Sequence, residues 1–258
     1  MTISLADLAR YADSLLESAT TPDYPNALNG IQLENRSPIR KLAAAVDFST
    51  RAIEGAIGSG ANLLLVHHGM FWGGLETLTG PSYKRIQMLV EADIAVYASH
   101  LPLDRHRTLG NNALLAKELG LKPSGSFASF ENIFIGVRGE SDVETEALVV
   151  RAGDFARTHG GDVRTSFLRS GRRTRKWAMC TGAGASSDIL KEARLVGADT
   201  IIVGEGPHWT AVHAEENDLA IIYAGHYATE TLGVTALARH LGEKYDLPWE
   251  FVSAPTGL

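Results

Sequence analysis

A single cysteine, Cys180, stands in 258 residues. That excludes an internal disulfide and every cysteine-rich metal site, and it fits a reducing compartment. Positive charge is also scarce: 24 Lys and Arg against 30 Asp and Glu leave a net charge of −6, which argues against a non-specific grip on a nucleic-acid backbone. Met1 to Leu16 carry Asp7 and Arg10 and lack both a basic start and a small-residue cleavage pattern, so they do not read as a secretory signal and the cytoplasm is the expected compartment. The longest notable charge-free stretch, Gly55 to Leu75, holds six glycines, Ser59, Asn62 and two adjacent histidines. It is a poor membrane helix and reads instead as a helix end, a strand and a loop, so no membrane partner is expected. What is abundant is apolar mass: 45% hydrophobic residues suit a globular chain of one or two domains with a sizeable core.

The pattern along the chain is α/β, with sheets flanked by helices. Ser4 and Asp7 resemble a capping box before the helical spacing of Leu5, Leu8, Ala9, Ala12, Leu15 and Leu16. A loop with Pro22, Pro25 and Gly30 leads to a strand at Leu42 to Val46, a helix at Thr50 to Ile57 and a strand at Leu63 to Val66. Such apolar runs without alternation suit a parallel sheet covered on both faces. A helix at Tyr83 to Glu91 and a strand at Ile94 to Ala98 follow, and Asn111 or Asn112 is expected to cap a helix that stops at Gly120. The middle holds a strand at Ile133 to Val137, a helix near Val143 to Thr158 and a cationic run, Arg169, Arg172, Arg173, Arg175 and Lys176, read as a solvated hairpin or loop. From Trp177 the first pattern returns: strands at Trp177 to Cys180, Thr200 to Val203 and Ala220 to Tyr223, helices at Ser187 to Leu195 and Trp209 to Glu216, and a last helix at Thr229 to Leu241. The expected organisation is therefore two similar α/β halves, 1–120 and 176–258, around an intervening segment, 121–175.

An offset of 137 pairs Gly60, Ala61, Val66, Gly69 and Trp72 with Gly197, Ala198, Val203, Gly206 and Trp209. An offset of 126 pairs Tyr97, Ala98, His100 and Asp104 with Tyr223, Ala224, His226 and Glu230. Both point to an internal repeat. Three strand ends then present His67 with His68, His100 with Asp104, and His226 with Glu230, where open α/β sheets collect ligands. Pro102 argues for a loop between His100 and Asp104, and Glu230 is expected in the first turn of the last helix, where it could equally be a capping charge. Imidazole and carboxylate without thiolate suit Zn, Fe, Mn, Co or Ni. Six such groups exceed one open site, so two metals with a bridging carboxylate are the natural reading. Gly182-x-Gly184-x-x-Ser187 lacks the third glycine of a dinucleotide fingerprint and reads as a tight turn. Cys180 reads as core, and His106, His159, His208, His213 and His240 as surface or packing residues, with His106 close enough to Asp104 in sequence to approach the site.

The segments Pro25-Asn26-Ala27-Leu28-Asn29-Gly30-Ile31-Gln32-Leu33-Glu34, Val66-His67-His68-Gly69-Met70-Phe71-Trp72, His100-Leu101-Pro102-Leu103-Asp104, Leu109-Gly110-Asn111-Asn112 and Ala224-Gly225-His226-Tyr227-Ala228-Thr229-Glu230 resemble the Nif-three-like dinuclear metal family, also known as GTP cyclohydrolase type-two homologues. The resemblance implies that His67, His68, Asp104, His226 and Glu230 bind two divalent transition metals, that His100 lies beside the site without being a regular ligand, and that the chain forms a homohexamer. It also implies a metal-dependent hydrolase acting on a nucleotide or phosphoester; the alternative is a non-catalytic metal-binding scaffold or regulatory protein. His100 and His106 are the candidate catalytic proton-transfer groups. The turn Gly182-Ala183-Gly184, where many relatives have three glycines, and the segment Gly206-Pro207-His208-Trp209 depart from the family pattern without removing a metal ligand.

Overall fold

In the computed structural model, which describes residues 2–258, the Ser4 hydroxyl opens helix α1 (Leu5–Leu16) by accepting the Asp7 amide at 3.1 Å. The helix buries Leu8, Ala9, Ala12 and Leu16 and stops at Glu17 in the left-handed region, as its spacing predicts. The chain continues through β1 (Gly30–Leu33), β2 (Leu42–Asp47), α2 (Thr50–Ser59), β3 (Leu63–His68), α3 (Gly80–Ala92), β4 (Ala95–Ala98), the one-turn α4 (Leu101–Asp104) and α5 (Asn111–Glu118). Then come β5 (Pro123–Phe130), β6 (Ile133–Glu144), α6 (Thr145–Thr158), β7 (Arg164–Thr165), β8 (Arg173–Cys180), α7 (Ser187–Leu195) and β9 (Thr200–Val203). The last elements are α8 (Trp209–Glu216), β10 (Ala220–Tyr223), α9 (His226–Tyr245) and β11 (Trp249–Phe251).

Two units are built from these elements: Met1–Leu103 with Gly233–Ala254, and Asp104–Leu232 with Pro255–Leu258. The first unit holds a five-stranded sheet ordered β1-β4-β3-β2-β11, parallel except for the edge strand β1. Every residue of β3 and β4 is buried, which is why these strands read as unbroken apolar runs. Ile53, Leu64, Val66, Leu89 and Val96 share one of its cores. The second unit holds a six-stranded sheet ordered β5-β6-β8-β9-β10-β7, with β8, β9 and β10 parallel. One core there gathers Leu115, Leu148, Trp177, Met179 and Ile222, and another Phe127, Leu190, Ile201 and Val203. No helix among the described residues is long and apolar enough to cross a membrane.

Four local expectations are corrected. Neither Asn111 nor Asn112 caps α5. Gly110 holds the cap position and both asparagine side chains are buried, Asn111 donating to Asp104 Oδ1 at 2.8 Å and Asn112 to the Ile135 carbonyl at 2.8 Å. Pro102 does not exclude a helix after His100, because a proline in a first turn removes only an amide that has no intrahelical partner, and α4 forms around it. The last helix begins at His226, so Glu230 sits one turn in, past the first turn where a capping charge acts. The cationic run is not a hairpin: Arg169 and Arg172 precede β8, while Arg173, Arg175 and Lys176 lie in it, and Arg172 is paired with Asp218 at 2.8 Å and Arg173 with Asp142 at 2.6 Å.

The start of β2 depends on one buried amide. Asn62, fully buried, accepts the Arg40 and Lys41 amides at 2.9 and 3.3 Å and donates to the Pro38 carbonyl at 2.8 Å and the Ser37 hydroxyl at 3.2 Å. Asn62→Ala strands those groups, and the expected loss is about 2 to 4 kcal/mol in denaturant unfolding. A loss within experimental error of zero would show that water replaces the amide.

Candidate metal centre

Strand register places the first group of residues. In the parallel pair β2/β3, Asp47 stands opposite His68, and cross-strand neighbours on one face are within side-chain reach. The His68 Nδ1 accordingly lies 2.8 Å from Asp47 Oδ1. Its neighbour His67 points elsewhere and donates Nδ1–H to the Ser99 carbonyl at 3.0 Å, just beyond β4. His100 follows, with Nδ1 at 2.8 Å from Asp23 Oδ1. Because each Nδ1 is held by an oxygen, each ring carries its proton there and presents Nε2 as the lone-pair nitrogen. The rings of His67 and His68 lie 4.9 Å apart and those of His67 and His100 4.8 Å apart, and the three imidazoles offer donor atoms within 4.8 Å of one another. The indole of Trp72 covers this group, 4.6 Å from His68 and 4.5 Å from His100.

Asp23 is the hub of the His100 side. Its carboxylate also accepts the Tyr24 amide at 2.7 Å, the Asn29 side chain at 2.8 Å and the Leu101 amide at 2.9 Å. Burial alone would raise its pKa; the hydrogen bond and charge of His100, with Asn29 and Leu101, outweigh that and hold it below the usual carboxylate range.

The second unit supplies the other residues. His226 opens α9 and Glu230 lies one turn on, so that His226 Nε2 and Glu230 Oε2 are 3.1 Å apart, while Nδ1 is 2.8 Å from Glu205 Oε1. Burial disfavours charge on His226, but the hydrogen bonds and charges of Glu230 and Glu205 prevail and raise its pKa to about 9. Glu230 is buried. Gly182, after β8, has φ +62°, and a Cβ there would run into Glu230 Oε1 and approach His226 Nε2 to 3.4 Å, so the turn is a cradle only glycine can form. Asp104 is buried and bonded to Asn111. Burial pushes the Cys180 thiol up, and the charges of Asp104, Glu230 and Glu192 push it further.

The structure therefore groups His67, His68 and His100 in one unit and Asp104, His226 and Glu230 in the other. The Nδ1 of His106 accepts the Leu109 and Thr108 amides at 3.0 and 3.3 Å, which pins its own loop. His159 and His240 pack on Phe155 and Tyr11. Sequence reasoning missed Asp23, Asp47 and the anchoring role of Glu205; an acid ending the strand beside a histidine-bearing strand was the available signal.

The family model described as Duf34/NIF3 (NGG1p interacting factor 3) matches residues 3–256. A relative from Deinococcus radiodurans named GTP cyclohydrolase 1 type 2 homolog is 36% identical over 98% of this chain and 94% of its own. One of the same name from Halobacterium salinarum is 39% identical, covering 97% of each. The crystal structure of TTHA1606 from Thermus thermophilus superposes with a TM-score of 0.85 at 33% identity, over 99% of this chain and all of that one.

The His226 shift has a sign that can be checked in chelator-treated protein. A histidine with a pKa of about 9 when folded and 6.5 when unfolded contributes its full stability below pH 6.5 and loses it as pH rises through about 9. Thermal unfolding should show wild type losing its advantage over Glu230→Gln across that window; parallel curves would contradict the pairing.

Proposed function

We propose, from the premise that this chain belongs to the Duf34/NIF3 family, that it is a dinuclear metal-dependent hydrolase acting on a nucleotide or phosphoester. The observation that carries this reading is that His67, His68 and His226 each have Nδ1 anchored by an oxygen acceptor, the arrangement that orients a metal-binding imidazole through its second nitrogen. The donor set fits: three imidazoles and the buried carboxylates of Asp104 and Glu230, with Gly182 leaving room beside Glu230. In the proposal these five residues would hold two divalent transition metals (Zn, Fe, Mn, Co or Ni). Such a pair, when bound, supplies Lewis acidity at a substrate oxygen and lowers the pKa of water toward neutrality.

The chain's own groups account for the rest. Asp47, the Ser99 carbonyl and Glu205 fix ring orientation and tautomer. Trp72 packs its indole against His68 and His100. Of the two proton-transfer candidates, His100 is favoured over His106. The Asp23 carboxylate holds the proton of His100 at Nδ1 and leaves Nε2 as acceptor, whereas the Nδ1 of His106 is already taken up by backbone amides. The relatives' name supports a nucleotide as substrate, and the homohexamer is carried over from the sequence resemblance alone.

Elemental analysis of protein purified without chelator should find two transition-metal ions per chain, and a screen of nucleotides and phosphoesters with the native metal should find turnover. Glu230→Gln should lose at least one ion and drop activity by orders of magnitude while the fold survives. A reproducible content of one ion or fewer, unchanged by added metal, would refute the dinuclear reading; two ions without turnover would favour the scaffold. Light scattering that gives a stable monomer would refute the hexamer.

Gly182→Ala is a second, independent check. An alanine at φ +62° is strained and its methyl would displace Glu230, so metal content should fall with far-ultraviolet circular dichroism unchanged. Full occupancy in this variant would remove the cradle from the argument.

A further inference from the structure

Within the second unit, a cleft of about 390 Å³ opens where the parallel strands β9 and β10 end, the end of an α/β sheet at which ligands collect. Gly204, Gly206 and Gly225 are among its lining residues and bring no side chain to it. One wall is the Tyr223 ring with Pro207 and Ala211. Another is the half-exposed carboxylate of Glu205, whose Oε1 already carries His226.

The hydrogen bonding of this wall is one-sided. Thr210 Oγ1 donates to the Pro207 carbonyl at 2.6 Å, and a hydroxyl has one hydrogen. The 2.7 Å contact between Thr210 and Tyr223 is therefore a donation from the tyrosine, whose oxygen keeps its lone pairs as acceptors. Glu205 is an acceptor too, with four lone-pair directions of which His226 occupies one. At the rim, Arg164 is paired with Asp162 at 3.1 Å, so neither charge stands alone. With Glu205 and Tyr223 as acceptors and Arg164 held by Asp162, this wall suits a flat molecule that brings donors.

We propose that this cleft binds a small planar N-heterocycle with an amidine-type edge, a ring N–H beside an exocyclic amino group, which donates two hydrogen bonds to Glu205 and packs against Tyr223. Parallel donation to a carboxylate is the geometry that makes guanidinium pairs strong and directional. Glu205 also holds His226, so the cleft adjoins a residue of the metal reading, and metal content is measured beside binding to tell the two apart.

The probe is 2-aminobenzimidazole, titrated calorimetrically into protein purified without chelator, with benzimidazole and benzoate as controls. The expected result is saturable binding with a Kd on the order of a millimolar, the scale for a fragment of this size. Benzimidazole, lacking the amino group, should bind about tenfold more weakly, and benzoate not measurably. Ala211→Trp fills the cleft and should abolish binding with metal content unchanged; Ala211→Leu, a smaller plug that keeps a helix-forming residue, should weaken it about tenfold and serves if the tryptophan variant does not fold. Binding that survives both variants would mean that the ring nitrogen sits on a metal instead, and the proposal fails. It fails equally if 2-aminobenzimidazole does not bind wild type, or if benzimidazole or benzoate binds as well.

Discussion

Everything in the candidate centre depends on one kind of bond, the donation of an imidazole Nδ1–H to a fixed oxygen. A histidine at a strand end has two free torsions and two chemically different nitrogens. A hydrogen bond at Nδ1 removes the ambiguity in both, leaving a known nitrogen aimed in a known direction. Here the acceptors come from the framework: Asp47 from the end of β2, the Ser99 carbonyl from the turn after β4, Glu205 from the turn after β9. Ring orientation thus follows from strand pairing, and strand pairing follows from the burial of apolar runs.

That dependence explains what the sequence could disclose. The six central strands were legible because parallel strands covered on both faces need unbroken apolar runs, and Leu63-Leu64-Leu65-Val66 or Thr200-Ile201-Ile202-Val203 admit little else. The strands that escaped were β1, β5, β7 and β11. Strand β5, Pro-Ser-Gly-Ser-Phe-Ala-Ser-Phe, buries only Phe127 and Ala128, so it carries neither a continuous run nor an alternation, and β7 and β11 have two and three residues. Their existence is decided by the neighbour they pair with.

Four of the six candidate groups stand out in the sequence because the chain states them twice. His100 and Asp104 stand at and on the one-turn helix after β4; His226 and Glu230 stand on α9 after β10. On α9 the imidazole begins the helix and the carboxylate follows one turn later, the i, i+4 spacing that puts two side chains on the same face, whereas His100 stands just before α4 and Asp104 ends it. The residues that orient the rings were not legible in this way. Asp23 is 77 residues from His100 and Asp47 is 21 residues from His68, and no spacing rule joins a loop carboxylate to a strand it reaches only through folding. Asn111 and Asn112 misled for the same reason: their type favours a cap, but buried acceptors nearby, Asp104 among them, made a stronger claim on their amides.

The loop from Asp23 to Gln32 shows what holding such a site costs the backbone. Leu28 lies at φ +40° and is half exposed, a conformation that a branched side chain adopts only under constraint, at a cost of about 1 to 3 kcal/mol. The constraint is visible on both sides of it. Gln32 donates to the Ala27 and Leu28 carbonyls and accepts the Met70 amide at 2.6 Å, tying the loop to the turn that follows His68, where Gly69 alone leaves room for the glutamine. Asn29 accepts the His100 amide at 2.7 Å and donates to Asp23. One strained loop therefore braces both histidine-bearing segments of its unit at once. Several hydrogen bonds of about 1 kcal/mol each, more where the carboxylate of Asp23 takes part, are enough to offset the strain. The loop is a brace for the imidazoles before it is anything else, and that is why Asn29 and Gln32 occur together in one short motif.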